Sequence, residues 1–239
     1  MRFACITTHL PDSLGGMQAA AGWLNQLVVA RGHSVMTLSY PLATWERNLL
    51  LWATVGEPLR MARLSFRALK ERATYDHSII HAPAGFCFGP GITIHHLNTR
   101  EYATNRYSKF NLNYWKLWYL NSAFDKLSSY GGRRNIAVCH AQADWLTRSG
   151  IHVDEVIYNP TDTALFRPHR DKMALRADLS MPLEGALVIC VGRYDGRKNW
   201  GQVLRLATAC PDLNFVIVGP EAKNFKNLPN NCFVAGVLD

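Results

Sequence analysis

The sequence predicts an α/β protein built on parallel sheets and divided into two units. Short apolar runs of strand length alternate with segments of helical period from residue 2 onward. Glycines stand at two strand-to-helix junctions, Gly15 and Gly16 near the start and Gly192 in the second half. An aperiodic stretch with two prolines, "PTDTALFRPHR", interrupts the alternation, so a first domain is expected over 1–167 and a second over 168–239.

"RFACITTHL" reads as the first strand and "PDSLGG" as a turn. "MQAAAGWLNQLVVA" has helical spacing, with Met17, Ala20, Ala21, Leu24, Leu27 and Val28 on one side. Gly32 in "RGH" ends that helix and "SVMTLS" is the next strand. This βαβ unit implies a parallel sheet with a right-handed crossover. "NLLLWATVGEPLRMARLSFRALKER" predicts two helical pieces broken near Gly56 and Pro58. "HSIIH" and "ITIHH" are short strands around a Pro/Gly loop. "NLNYWKLWYLNSAFDKLSSY" is an amphipathic helix, "NIAVCH" a strand, "AQADWLTRSG" a helix ended by Gly150, and "EVIYN" a strand. In the second unit come a helix ("DKMALRADL"), a strand ("ALVICV"), a glycine-bearing loop, a helix, and the strands "NFVIVG" and "CFVAG". About seventy residues is small for a doubly wound domain, so the chain is expected to stop partway through this one.

Hydrophobic residues at 48% and charged residues at 18% describe an ordinary globular protein of 239 residues, not a disordered one. A net charge of +8 favours anionic partners: nucleic acid, phosphorylated small molecules or an acidic membrane face. The six cysteines are scattered without a CxxC pair, and Cys5, Cys139 and Cys190 lie in apolar runs. Buried thiols in a reducing, cytoplasmic compartment are expected, with no metal-ligand cluster. The N-terminus reads as a strand rather than a secretory signal, and no apolar run approaches membrane-spanning length.

Ligands of open parallel sheets bind beyond the carboxyl ends of the strands. Gly15 and Gly16 fall there, although a bare glycine pair is weak evidence and a tight turn without a ligand is the competing reading. No G-x-G-x-x-G or G-x-x-x-x-G-K-[ST] pattern accompanies them. The later loop, "VGRYDGRKNW", says more. Its strand ends at Val191 and a helix begins near Asn199, so an anion between them meets a positive helix end. Arg193 offers a bidentate fork and Lys198 a point charge, while Arg197 faces water. The competing reading is a solvated basic turn.

"VGRYDGRKNW", followed by a helix and "PDLNFVIVGP", resembles the donor-binding segment of the group 1 retaining glycosyltransferases. "VIYNPTDTALFRP" resembles that family's interdomain stretch, "GGMQAAAGWLNQLVVARGHSVMTLS" its opening, and "ITIHHLN" the strand whose terminal histidine faces the cleft. The resemblance implies the GT-B fold, two Rossmann-like domains with the second incomplete here. It implies transfer of a sugar, with retained configuration, from a nucleotide-diphosphate donor to a hydroxyl of a glycan or lipid-linked acceptor, in cell-surface polysaccharide or lipopolysaccharide synthesis. Arg193 and Lys198 match the family's diphosphate-binding pair, with Gly15, Gly16, Gly192 and Gly219 near the donor. His95 matches the catalytic cleft histidine, with His96 beside it. No cofactor or metal is implied. Pro160 and Thr161 depart from the family's Gly-Val, and fewer residues than usual separate His81 from His95. The family's acidic motif, which holds the donor, would lie beyond Asp239. Two other readings stay open: a non-catalytic fragment binding glycan or a partner chain, and a sugar-nucleotide epimerase of the same architecture.

Residues 100–134 interleave Arg100, Arg106, Lys109, Lys116, Lys126, Arg133 and Arg134 with nine aromatic residues. A core-packing helix with a solvated basic face, a peripheral contact with anionic lipid, and a nucleic-acid surface all fit this composition. The last has no supporting motif, so no nucleic-acid partner is expected.

Overall fold

The computed structural model describes residues 1–8, 16–40, 50–130, 133–164, 166–168, 171–194, 198–219 and 221–237. The chain forms two compact units, Met1–Thr161 and Asp162–Asp239.

In the first unit, β1 (Arg2–Ile6), α1 (Gly16–Ala30) and β2 (Ser34–Leu38) form the opening βαβ unit. After them come α2 (Leu50–Lys70), β3 (His77–Ala82), β4 (Gly91–His95) and α3 (Thr99–Arg106). Then follow α4 (Leu112–Trp115), a π-helical turn (Lys116–Asn121), α5 (Ser122–Ser129), β5 (Arg134–Ala137), α6 (His140–Arg148) and β6 (Glu155–Val156). The six strands are parallel, in the order β2-β1-β3-β4-β5-β6.

Strand order reverses at β1. With right-handed crossovers, α1 must cover one face of the sheet and α2, α5 and α6 the other. The side chains follow that division. Leu64 and Ala68 of α2 pack on Ala4, Ile6, Leu38 and Ile80. The Ser128 carbonyl of α5 accepts from Thr93 on β4, and Leu146 of α6 packs on Ala137 of β5. On the opposite face Asn25 of α1 donates to Thr37 of β2.

Two local expectations change. The helix over 50–70 runs through Pro58 without the predicted break. Proline removes one rung of the ladder, but Met61, Leu64 and Ala68 beyond it are buried and hold the helix in line. The segment 111–130 is not one regular helix, because the π-helical turn interrupts it. Across that turn Tyr114 stacks on Trp118 and Trp115 on Tyr119, at 5.5 and 5.6 Å between ring centroids.

Arg133 also differs from the solvated cation its neighbours suggest. It is buried, donating to the Ser78 hydroxyl (2.6 Å) and carbonyl (3.0 Å) and to Thr93 Oγ1 (3.0 Å). Carbonyls and hydroxyls of β3 and β4 solvate it in place of water.

In the second unit α7 (Lys172–Asp178), β7 (Leu187–Val191), α8 (Trp200–Ala209), β8 (Asn214–Val218) and β9 (Cys232–Gly236) follow. The strands are parallel in the order β7-β8-β9. Phe215, Val216 and Ile217 on the central strand are buried, whereas Ile189 and Val191 on the outer strand β7 are exposed.

Candidate functional site

In the second unit, the loop between β7 and α8 is held by close backbone packing. Gly192 N donates to the Val218 carbonyl at 3.0 Å. Gly219 has φ +108°, and a Cβ there would overlap the Gly192 carbonyl, 3.0 Å from its carbon. Only glycine allows the ends of β7 and β8 to meet in this way. A Cβ on Gly192 would stand 2.9 Å from Cε of Lys198, so the lysine stem lies along the Gly192 backbone. Trp200, buried at the start of α8, donates from its indole Nε1 to the Arg193 carbonyl at 3.0 Å. Phe225 packs edge-on against both Trp200 and Tyr194.

These contacts place Arg193 and Lys198 around Gly192 at the head of α8. Both are exposed, and among the described residues neither has a carboxylate partner. Among the described residues no side chain closes the helix end. Asn199, at φ 49°, makes no side-chain cap to α8, and the first turn carries no acidic residue. Unsatisfied N–H groups, the positive end of the helix dipole and two cations thus gather at the carboxyl end of a parallel strand, a geometry suited to a phosphate or diphosphate. Asp195, Gly196 and Arg197 lie outside the described residues.

In the first unit, Gly16 opens α1 and a Cβ on it would meet nothing within 4 Å. Gly15 lies outside the described residues. The strand-order reversal puts a switch point beyond the carboxyl ends of β1 and β3, the usual ligand position in open parallel sheets. Thr7 follows β1 there, with its buried hydroxyl unpartnered.

Strand alternation separates the two neighbouring histidines. His95 points to the α5 face, where it is fully buried, with Nε2 3.3 Å from Asn135 Oδ1 and 3.4 Å from Ser129 Oγ. His96 lies on the opposite side, its Nε2 3.0 Å from Nδ1 of His81 and the two rings stacked. Burial drives the pKa of His81 down to about 3, and His96 adds to that. His95 and His96 fall to about 4, again chiefly by burial. All three are neutral at pH 7 and act there as hydrogen-bonding groups.

His81 and His96 form part of the wall of a cavity of about 440 Å³. Ile92, Ile94 and Ile136 line it from the sheet, Trp23, Leu24 and Leu27 from α1, and residues 157–160 complete it. His95 is not in this lining. No local signal marked the His81–His96 pair, because the contact joins the ends of two separate strands. The Trp200 anchor was equally hidden, because its neighbours in "VGRYDGRKNW" are polar and its ring partner Phe225 lies in a later segment.

Two parallel-sheet units of this construction, superposing on known GT-B structures, make this chain a GT-B-fold protein. Its whole length superposes on 71% of the sucrose-phosphate synthase of Thermosynechococcus elongatus, with a TM-score of 0.71 at 15% identity. It also superposes on 70% of Anabaena HepE, solved in complex with UDP-glucose (TM-score 0.63, 15% identity), and on 72% of the glycosyltransferase SnogD of Streptomyces nogalater (TM-score 0.50, 15% identity). At these identities the likeness is one of fold. The sequence matches no protein-family model and no curated protein.

Proposed function

We propose that the protein is a cytoplasmic glycosyltransferase that moves a sugar, with retention, from a nucleoside-diphosphate donor to a hydroxyl of a glycan or lipid-linked acceptor. Cell-surface polysaccharide or lipopolysaccharide is the product this reading favours. One observation carries it: the open head of α8, with Arg193 and Lys198 gathered around Gly192. As the bond to the anomeric carbon breaks, negative charge grows on the departing diphosphate. Cations and N–H groups already in position stabilise that charge more than they stabilise the intact donor. Gly192 and Gly219 let the ends of β7 and β8 meet and let the Lys198 stem lie along the backbone, which sets where the two cations stand. His95, which the resemblance puts at the sugar, is fully buried beneath α5 on Asn135 and Ser129, so it supports the strand end rather than touching the sugar. HepE, whose structure holds UDP-glucose, supports a nucleotide sugar as the donor class.

Calorimetric titration with uridine and guanosine diphosphates tests this. Replacing both Arg193 and Lys198 with alanine removes charge-assisted contacts worth together about 2–3 kcal/mol, a loss of roughly 30- to 150-fold in affinity. Equal affinity in wild type and variant would remove the donor site from the loop. Proton NMR of the transfer product reads its anomeric configuration, and an inverted product refutes retention. The exposed apolar side chains of Ile189 and Val191 on β7 favour a second reading, a non-catalytic module that pairs with another chain. That module would bind glycan or protein without turning over any nucleotide sugar.

A further inference from the structure

The segment joining α3 to the π-helical turn carries an aromatic surface that sugar transfer does not use. We propose that this surface docks the protein on an anionic lipid bilayer, with Phe110 and Leu112 entering the interfacial region. Phe110 is 100% exposed and Leu112 75% exposed. Leu112, Trp115 and Tyr119 follow at spacings of three and four, so they share one face, and Tyr119 is 60% exposed. The opposite face is the buried one, with Tyr114, Asn121 and Ser122 turned inward.

The tip is built rather than frayed. Trp115 Nε1 donates to the Lys109 carbonyl at 2.8 Å. Asn111 caps α4 by accepting from Asn113 N at 2.8 Å, and Ser108 Oγ accepts from Phe110 N at 3.3 Å. A turn fixed in this way holds two large apolar side chains in water, which is unfavourable unless something apolar receives them.

Charge indicates what receives them. Between residues 102 and 124 the sequence has Arg106, Lys109 and Lys116 and no aspartate or glutamate. Arg106 and Lys109 are exposed beside the aromatic face. Cations around a rim of Trp and Tyr, with Phe and Leu at the tip, match anionic headgroups over an acyl boundary. A single-stranded nucleic acid needs open ring faces for its bases. Here Trp115 and Tyr119 stack on each other, as do Tyr114 and Trp118, which favours lipid.

The test is cosedimentation of the full chain with vesicles of phosphatidylcholine, with and without phosphatidylglycerol, at low and high salt. Binding is expected on the phosphatidylglycerol vesicles and weakens as salt rises. A Phe110→Ser, Leu112→Ser variant loses on the order of tenfold or more in partitioning. Lys109→Glu loses about fivefold or more. Both variants keep wild-type circular dichroism and wild-type affinity for nucleoside diphosphates, so failure here is separable from failure of the sugar-transfer reading. Wild-type protein that ignores anionic vesicles at low salt overturns the proposal. So does a tip variant that partitions as well as wild type, or one that loses oligonucleotide binding while vesicle binding stays intact.

Discussion

Gly219→Ala tests the architecture of the donor loop directly. Two costs arise at this position. The backbone sits at φ +108°, a region L side chains rarely adopt, which costs about 1–2 kcal/mol. The new Cβ would also overlap the Gly192 carbonyl, and forcing an extra group into packed backbone costs about 1–3 kcal/mol more. The sum is about 2–5 kcal/mol, felt in the second unit. Gly32→Ala is the matched control. Gly32 has φ +78°, but a Cβ there meets nothing within 4 Å, so only the conformational cost of about 1 kcal/mol applies. Urea unfolding followed by far-UV circular dichroism separates the two variants, and calorimetry with a nucleoside diphosphate reads the loop. Because the clash pushes on Gly192, against which the Lys198 stem lies, Gly219→Ala should also weaken diphosphate binding at temperatures where the fold persists. If Gly219→Ala is no more destabilising than Gly32→Ala and binds the diphosphate unchanged, the close approach of the two strand ends does not shape this loop.

Three further outcomes are expected. Arg133→Met keeps the aliphatic stem but strands the Ser78 and Thr93 acceptors, costing about 3 kcal/mol in chemical denaturation of the first unit. Asp125 is buried, accepts from the Thr99 backbone N–H and hydroxyl, and has its pKa raised to about 7 by that burial. Between pH 4 and 7 the unfolded carboxyl is ionised while the folded one stays protonated, so this group lowers stability as pH rises through that window; Asp125→Asn should flatten the decline and be more stable than wild type at pH 8. His81, His95 and His96 act in the opposite sense: the unfolded imidazoles take up protons below about pH 6.5 and the folded ones resist until about pH 3–4. Their stability is therefore lost as pH falls from 6.5 toward 4, and wild-type urea midpoints that do not drop over that range would show that these rings are not held neutral.

Much of the molecule was legible in the chain itself. Local period and glycine punctuation set the alternation of strands and helices, because a strand repeats every two residues and a helix every 3.6 whatever surrounds them. The loop cations were legible too, since a strand end, a glycine and a helix start are all local. Pro58 misled because its local cost is outweighed by buried residues from distant strands that hold α2 straight. The π-helical turn was invisible because stacked aromatic pairs, not propensity, accompany it.

The sequence by itself determined the order of elements, the parallel sheets and the position of the cationic loop, all consequences of short-range spacing and crossover handedness. Only the tertiary structure decided which face each side chain serves. It put His95 under α5 and His96 beside His81, buried Arg133 among carbonyls, and left Phe110 in water. A one-residue step along a strand reverses the direction of a side chain, and what waits on either side depends on helices far away in the chain.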